Sequence, residues 1–214
     1  MQITKIEVQK KHKNYFNLYV EDDVFLFSIT EDTLLHYKIS KGSDFSEDEL
    51  QSIQKYDTAM RCLYQSYRYL NIRPHLASEI RRKLRQKKFD EDSITTAISQ
   101  LKKQKLLKDE QFIASFIHDQ IRLKKNGPLI IKQKLFEKGA SAAVIEPILQ
   151  TEYTEELQIS NAESLFLKKK NNLNETDNRK LKDKLIRYLQ QKGFTWQVIE
   201  TVLNNNPIAD DLTE

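Results

Sequence analysis

The chain has 214 residues, of which 31% are charged, with four glycines, four prolines and a formal net charge of +4. So little glycine and proline argues against a β-sandwich and for helix, and the single cysteine, Cys62, excludes an intramolecular disulfide or a multi-cysteine metal site. No apolar run reaches the roughly 20 residues of a membrane span, and "MQITKIEVQKK" carries charges where a signal peptide needs its apolar stretch, so the expected setting is the reducing cytoplasm.

Residues 2–40 read as strands. "ITKIEV", "YFNLYV" and "VFLFSI" alternate or run apolar, with β-branched and aromatic residues, and the polar breaks "QKKHKN" and "EDD" read as turns. A small antiparallel hairpin or meander follows, too small to stand without packing against something. In "GSDFSEDELQSIQKYD", Ser46 as N-cap and Glu49 three residues on form a capping box that starts a helix.

From about residue 47 the period is helical, and an internal repeat appears. "IRRKLRQKKFDEDSITTAI" (80–98), "IKQKLFEKGASAAVIEPIL" (131–149) and "LIRYLQQKGFTWQVIETVL" (185–203) superimpose without a gap. The matched positions are Ile80/Ile131/Leu185, Leu84/Leu135/Leu189, Lys88/Gly139/Gly193, Phe89/Ala140/Phe194, Asp90/Ser141/Thr195, Ile94/Ile145/Ile199 and Ile98/Leu149/Leu203. Aliphatics four apart share a helix face. Gly139 and Gly193 suit the left-handed residue that ends a helix; Lys88 departs from that pattern and implies strain or another cap. Asp90, Ser141 and Thr195 are placed to accept from the first free N–H groups of the next helix, and Phe89 and Phe194 to staple onto Ile94 and Ile199.

Upstream of each pair lies a further helical stretch: 58–70, 109–125 and 155–170. The fold class expected is mostly α, an elongated tandem array of three three-helix repeats preceded by a small antiparallel β hairpin or meander. The boundaries expected are 1–45 for the strand-rich extension, 46–106, 107–152 and 153–206 for the repeats, and 207–214 for a frayed tail. The third copy carries an insertion, "NNLNETDN" (171–178).

Charge is unevenly placed. Residues 1–58 hold 7 basic and 11 acidic side chains (−4), residues 59–154 hold 19 and 10 (+9), and residues 155–214 hold 9 and 10 (−1). An anionic partner is expected at the middle segment. Its densest stretch, "IRRKLRQKKF" (80–89), places Ile80 and Leu84 on the core face and Arg81, Arg85 and Lys88 in a row with Arg82 beside it; Lys83 and Lys87 flank the buried seam and can snorkel over it. Such a row repels itself unless an anion is near, although lysine and arginine are ordinary surface residues and a solvated helix is the bland alternative. Tyr64, Tyr67 and Tyr69 nearby add single-strand stacking as an option.

Signatures of catalysis are missing. His12, His36, His75 and His118 are scattered, with no i,i+4 partner or carboxylate pair at ligand spacing, so no metal site is expected. No glycine-rich phosphate loop exists, no cofactor is implied and no nucleophile–base pair is visible. Cys62 reads as a buried thiol, Asp109-Glu110 as a helix start favoured by the dipole, "KNGP" (125–128) as a helix stop and turn, and Trp196 as a packing residue. An enzyme is not expected.

"YLNIRPHLASEIRRKLRQKKF" resembles the opening repeat of the RecX family, a "YL..R..S..EL..KL..K.F" pattern filled by Arg73, Ser78, Glu79, Ile80 and Leu84. "LLKDEQFIASFI" resembles the family's "DD..FA" segment, with Glu110 at the second acidic position and Ile113 before Ala114. "GPLIIKQKLFEKGAS" resembles its "G...I..EL..KGI" segment through Gly127, Ile131, Leu135, Lys138 and Gly139. The match is good over about 60–150 and looser over 155–205, and residues 1–45 look like the N-terminal extension of some members.

The resemblance implies a monomeric regulator of the RecA recombinase, built of tandem three-helix repeats. Members bind RecA and its filaments on single- or double-stranded DNA, commonly in the filament groove, and usually inhibit ATP hydrolysis and strand exchange. On that reading Arg81, Arg82, Arg85 and Lys88, with Lys124, Lys125, Lys132 and Lys134, are the DNA and filament contacts. The alternative is a stand-alone helix-turn-helix-like DNA-binding protein. Against it, "DEDSITTAI", "SAAVIEPIL" and "TWQVIETVL" are acidic or apolar where a recognition helix should be basic.

Overall fold

A computed structural model describes residues 1–208. The chain divides into two compact units, one from Met1 to Lys108 and one from Asp109 onward. The tail expected to fray over 207–214 lies outside the described residues beyond Ile208, and Ile208 itself is buried.

The first unit begins with β1 (Lys5–Val8), β2 (Tyr15–Val20) and β3 (Val24–Thr30), an antiparallel meander in the order β1-β2-β3. Period-two alternation sets its faces. Ile6 pairs with Leu18 and Leu18 with Phe27, so one face is apolar. That face packs into a core of Ile3, Leu18, Ile29, Ile39, Leu50 and Ile53. The "EDD" turn bends through Asp22 and Asp23, both at positive φ (57° and 54°).

A short helix, α1 (Glu31–His36), is capped by Thr30 and leads to α2 (Glu47–Ile72). The capping box at Ser46 forms as read: its hydroxyl accepts from Glu49 N–H at 3.3 Å, and the Glu49 carboxylate accepts from Ser46 N–H at 2.7 Å. The helix start at 46 and the stretch at 58–70 belong to one continuous 26-residue helix, about 39 Å long at 1.5 Å per residue. Leu50 and Ile53 serve the sheet core, whereas Cys62 and Leu63 enter a second core with α3 (Ala77–Gln86) and α4 (Glu91–Lys103). Burial pushes the Cys62 thiol up to about 12, which makes it an inert packing group.

Between the two cores α2 carries a polar clasp that nothing in the sequence pattern announced. The buried Asp57 carboxylate accepts from Thr30 N–H at 2.6 Å and from the Thr33 hydroxyl at 2.9 Å. Arg61 donates to the other Asp57 oxygen and to the Ser28 carbonyl, and lies over the Tyr15 ring at 4.7 Å. A carboxylate this buried is tolerable because both of its oxygens accept hydrogen bonds, one of them from a guanidinium.

The second unit holds α5 (Asp109–Arg122), α6 (Pro128–Glu137), α7 (Ala142–Glu152), α8 (Glu155–Asn171), α9 (Asn178–Gln191) and α10 (Trp196–Asn205). The three-helix units are thus α2–α4, α5–α7 and α8–α10. The matched aliphatics are their cores. Ile80, Ile131, Leu185, Leu84, Leu135, Leu189, Ile94, Ile145 and Ile199 are all fully buried. At the last position Ile98 and Leu149 are buried, but in the third copy Val202 takes that place and Leu203 is only half-buried.

The break between the paired helices is the same Schellman turn three times. Lys88, Gly139 and Gly193 have φ of 63°, 86° and 83°. Their N–H groups each donate at 2.8 Å to the carbonyl three residues back, and the next residue's N–H reaches the carbonyl five back, on Leu84, Leu135 or Leu189. Lys88 therefore adopts the glycine conformation with strain instead of another cap. The following N-caps depart from expectation: Asp90 accepts from Ser93 N–H at 2.8 Å, but Ser141 and Thr195 make no side-chain cap bond. Trp196 also departs, being 55% exposed. The residue just past the α9 Schellman turn, Phe194, is the one that is buried there.

Gly127 and Gly193 join the second and third copies backbone to backbone. Gly127 N–H donates to the Lys192 carbonyl at 2.7 Å and Leu129 N–H to the Gly193 carbonyl at 3.1 Å. A Cβ on Gly127 would lie 2.3 Å from Gly193 backbone atoms, and one on Gly193 would lie 2.5 Å from the backbone nitrogen of Ile130.

Replacing Lys88 by glycine should stabilise the protein by about 0.5–1 kcal/mol, because it removes the left-handed penalty of a side chain; a urea midpoint measures this, and a lowered midpoint would contradict it. Gly193→Ala should cost more than about 2 kcal/mol, since strain and backbone overlap add.

Candidate functional site

The eight candidate cations fall on the two units in two groups of four. In the first, Arg81, Arg82 and Arg85 lie on α3 and Lys88 on the Schellman turn that ends it. All except Arg81 are exposed. Arg81 and Arg85 do not project freely: both bind Glu91 at the start of α4, Arg81 through Nη1 at 2.8 Å and Arg85 through Nε. Arg85 and then Arg81 hold the Glu91 carboxyl below its ordinary range, and Glu91 in turn raises Arg85. Sequence spacing placed the arginines on one face but could not show this carboxylate, which comes from the next helix ten residues on.

The flanking lysines behave differently. Lys83 leaves the basic row and turns over the core, donating to His75 Nε2 at 2.8 Å and lying 4.8 Å from the centre of the Tyr69 ring. Lys87 is exposed. The tyrosines considered for base stacking are half-buried: Tyr67 and Tyr69 pack against the core, and the Tyr67 hydroxyl donates to Gln104 at 2.7 Å. They are structural groups first.

In the second unit Lys124 is exposed at the end of α5, while Lys125, at φ 49°, donates to the Ser164 hydroxyl. Lys132 pairs with Glu146 at 2.7 Å and Lys134 donates to Gln120 at 3.0 Å. Exposed Leu129 and Phe136 share α6 with these two lysines. Three of this group are thus tied to neighbours and Lys124 is the most available.

Beside the basic row lies a buried polar group centred on His75. His75 has the i,i+4 partner not expected of it: Glu79, four residues on, approaches its Nε2 to 4.0 Å. Glu79 is buried and forms an ion pair with Arg73, so the end of α2 is bolted to α3. His75 Nδ1–H donates to the Arg73 carbonyl at 2.7 Å, and Nε2 accepts from Lys83. Burial holds the imidazole below its ordinary value of 6.5, against the opposing pull of the Arg73 carbonyl and Glu79. Among the described residues no group of three or more His, Cys, Asp or Glu side chains could hold a metal ion, and no helix is long and apolar enough to cross a membrane.

Residues 1–46 match the regulatory protein RecX N-terminal domain, and 62–101, 109–148 and 155–203 match the first, second and third three-helix domains of RecX. A regulatory protein RecX of Oceanobacillus iheyensis is 32% identical over 213 residues, covering 98% of this chain and 78% of the relative. The chain belongs to the RecX family. One from Streptococcus agalactiae is also 32% identical, over 211 residues, covering 99% of this chain and 79% of the relative. A crystal structure of regulatory protein RecX aligns with TM-score 0.76 and 28% identity over 95% of this chain and 98% of its own. RecX from Lactobacillus salivarius aligns with TM-score 0.65 and 26% identity over 70% and 97%.

The RecX-like residues are scaffold. Arg73 and Glu79 form the α2–α3 bolt, Ile80, Leu84, Ile113, Ile131 and Leu135 are core, Gly127 makes the backbone contact, and Gly139 is the left-handed turn. The lysine of the pattern, Lys138, lies over the Phe116 ring at 5.6 Å and is not among the eight candidate contacts, so the family pattern and the candidate contact surface are separate sets of residues.

Stability should respond to acid through His75. Its folded pKa lies below its unfolded value, so the neutral ring is favoured at pH well above 6.5. As pH falls through that value the unfolded chain takes up the proton first, and stability declines until the depressed folded pKa is reached. The urea midpoint should fall as pH drops below about 7, and His75→Gln should flatten that limb. An identical profile in the variant would contradict the assignment.

Proposed function

We propose that this RecX-family chain regulates a RecA recombinase by binding RecA and RecA–DNA filaments through the basic surfaces of its three-helix units, lowering ATP hydrolysis and strand exchange. Family membership along nearly the whole chain carries the reading, and it fits a RecA regulator role. The contacts proposed are Arg81, Arg82, Arg85 and Lys88 in the first unit, and Lys124, Lys125, Lys132 and Lys134 in the second.

The action required of these groups is binding. Guanidinium groups match phosphate and carboxylate geometry in a bidentate way. Glu91 then acts as a resident stand-in for the partner's anion: Arg81 and Arg85 are held in order, free of mutual repulsion, and exchange one carboxylate for another anion on docking. Exposed ion pairs are worth little in water, so the exchange costs little. The regulator would act by occupying the polymer and biasing its conformation, without bond-making on this chain, as an intracellular monomer.

The single-stranded-DNA-dependent ATPase of the same organism's RecA, titrated with this protein, tests the reading. Activity should fall at ratios well below one molecule per recombinase. Unchanged activity, together with tight sequence-selective DNA binding by the protein alone, would favour a stand-alone DNA reader. Arg81→Gln with Arg85→Gln should raise the concentration needed for half-inhibition by about tenfold, at roughly 1–1.5 kcal/mol for the pair. Glu91→Gln should leave inhibition intact or strengthen it; weaker inhibition would mean that Glu91 itself faces the partner.

A further inference from the structure

The strand-rich segment is acidic in sum, yet its β1–β2 hairpin ends in four consecutive basic residue types, Lys10, Lys11, His12 and Lys13. All four are exposed, as is Asn14. The tip is firmly built. Gln9 N–H donates to the Tyr15 carbonyl at 2.8 Å, Tyr15 N–H to the His12 carbonyl at 3.0 Å, and the Gln9 amide to Asn17 at 2.9 Å. The His12 ring meets Tyr15 edge-on with centroids 5.8 Å apart.

None of the three lysines forms an ion pair among the described residues, unlike Arg81, Arg85 and Lys132. The acids close by are already engaged. Glu7 is paired with Lys5 at 2.8 Å and accepts from the Tyr19 hydroxyl. Glu31, whose N–H donates to the Asn14 carbonyl, and Asp32 occupy the first turn of α1, where the helix dipole favours them. The other lysine runs with an exposed member close helices, which this one does not: Lys87 and Lys88 follow the last turn of α3, Lys102 and Lys103 close α4, and Lys168, Lys169 and Lys170 close α8, where cations complement the dipole. Crowded ammonium groups on a hydrogen-bonded tip, with no helix end and with only the Glu7 carboxylate attracting Lys10 from beyond ion-pair distance, repel one another unless an external anion is bound.

We infer that the β1–β2 hairpin tip is a nucleic-acid contact in which Lys10, Lys11 and Lys13 take backbone phosphates of one strand without reading its bases. The chemistry of the tip selects this partner. From Gln9 to Asn14 every side chain is polar, so the apolar anchor that peptide recognition relies on is absent, as are the apolar and aromatic side chains that settle a surface segment into lipid. Ammonium point charges on a ribbon suit a polyanion whose binding comes from counterion release. The contact needs no recombinase, so it stands or falls apart from the filament reading.

The test uses the full chain carrying Lys10→Gln, Lys11→Gln and Lys13→Gln. An equal-charge control carries Lys41→Gln, Lys103→Gln and Lys168→Gln, three exposed lysines dispersed along the chain. Fluorescence anisotropy with labelled single-stranded and duplex oligonucleotides of two unrelated sequences is read across salt concentrations, without RecA. The tip variant should lose about tenfold or more in affinity near 0.1 M salt on both sequences, and its log-affinity against log-salt slope should shrink by about 2–3, as expected for three phosphate contacts. Lys→Arg at the same three positions should restore both. Equal losses in tip variant and control, or no loss in the tip variant, would overturn the proposal. So would an equal or larger tip-dependent gain in binding to an oligoglutamate peptide or to phosphatidylserine vesicles. Circular dichroism of the tip variant should match that of the parent, since no described bond of the hairpin uses the lysine side chains.

Discussion

The left-handed turn between the paired helices is the constraint on which the three-helix units depend. A helix that ends in a Schellman turn must place the next residue at positive φ and fold the chain back over its own last turn. Here that happens at Lys88, Gly139 and Gly193, with the same two backbone bonds each time. Because the bend is fixed, the aliphatic residues before and after it meet inside one small core. A one-residue slip would carry Leu84, Leu135 or Leu189 onto the solvent face, so the spacing of apolar residues and the geometry of the turn specify each other. In the third copy the turn is also a joint, since Gly193 is both its left-handed residue and the surface on which Gly127 of the second copy rests.

Much of this was legible in the sequence. The strands, the Ser46–Glu49 capping box and the matched core positions follow from period and cap chemistry, which are local properties. What stayed hidden depended on partners remote in sequence. The helix start at Ser46 and the stretch at 58–70 are one long α2, whose polar residues Asp57 and Arg61 are the clasp that holds Thr30 and Ser28. Ser141 and Thr195 have the right residue type for N-caps but make no cap bond, which shows that residue preference fixes where a helix begins better than how its first N–H groups are satisfied. Trp196 is exposed although it is the sole tryptophan, and neighbouring Phe194 has the burial that Trp196 was expected to have.

The candidate contact surface was legible in part. Helical spacing grouped Arg81, Arg82, Arg85 and Lys88 correctly, but the number of cations in a stretch does not measure the field it presents. Glu91 quenches two of the arginines, Lys83 turns inward to His75, and Lys132 and Lys134 are held by Glu146 and Gln120. The converse holds at the β1–β2 tip, where a segment with net charge −4 displays lysines without an ion pair because its acids sit in helix first turns and other ion pairs. A signal was present, since "KKHK" is a contiguous run in an acidic neighbourhood, but segment totals averaged it away. The RecX-like pattern itself encodes bolts, cores and turns, so two members of the family can share a scaffold while differing in the cations they expose.

The central claim, that the basic faces of the three-helix units dock onto a recombinase filament, is tested most directly by hydrogen–deuterium exchange of this chain with and without a RecA filament on single-stranded DNA. Docking through these faces predicts slowed exchange along α3 and its turn at Lys88, and across the α5–α6 junction from Lys124 to Lys134, with α1 unchanged. Exchange unaltered in both of those stretches while the filament is demonstrably bound would contradict it, and would move the contact to another surface of the protein.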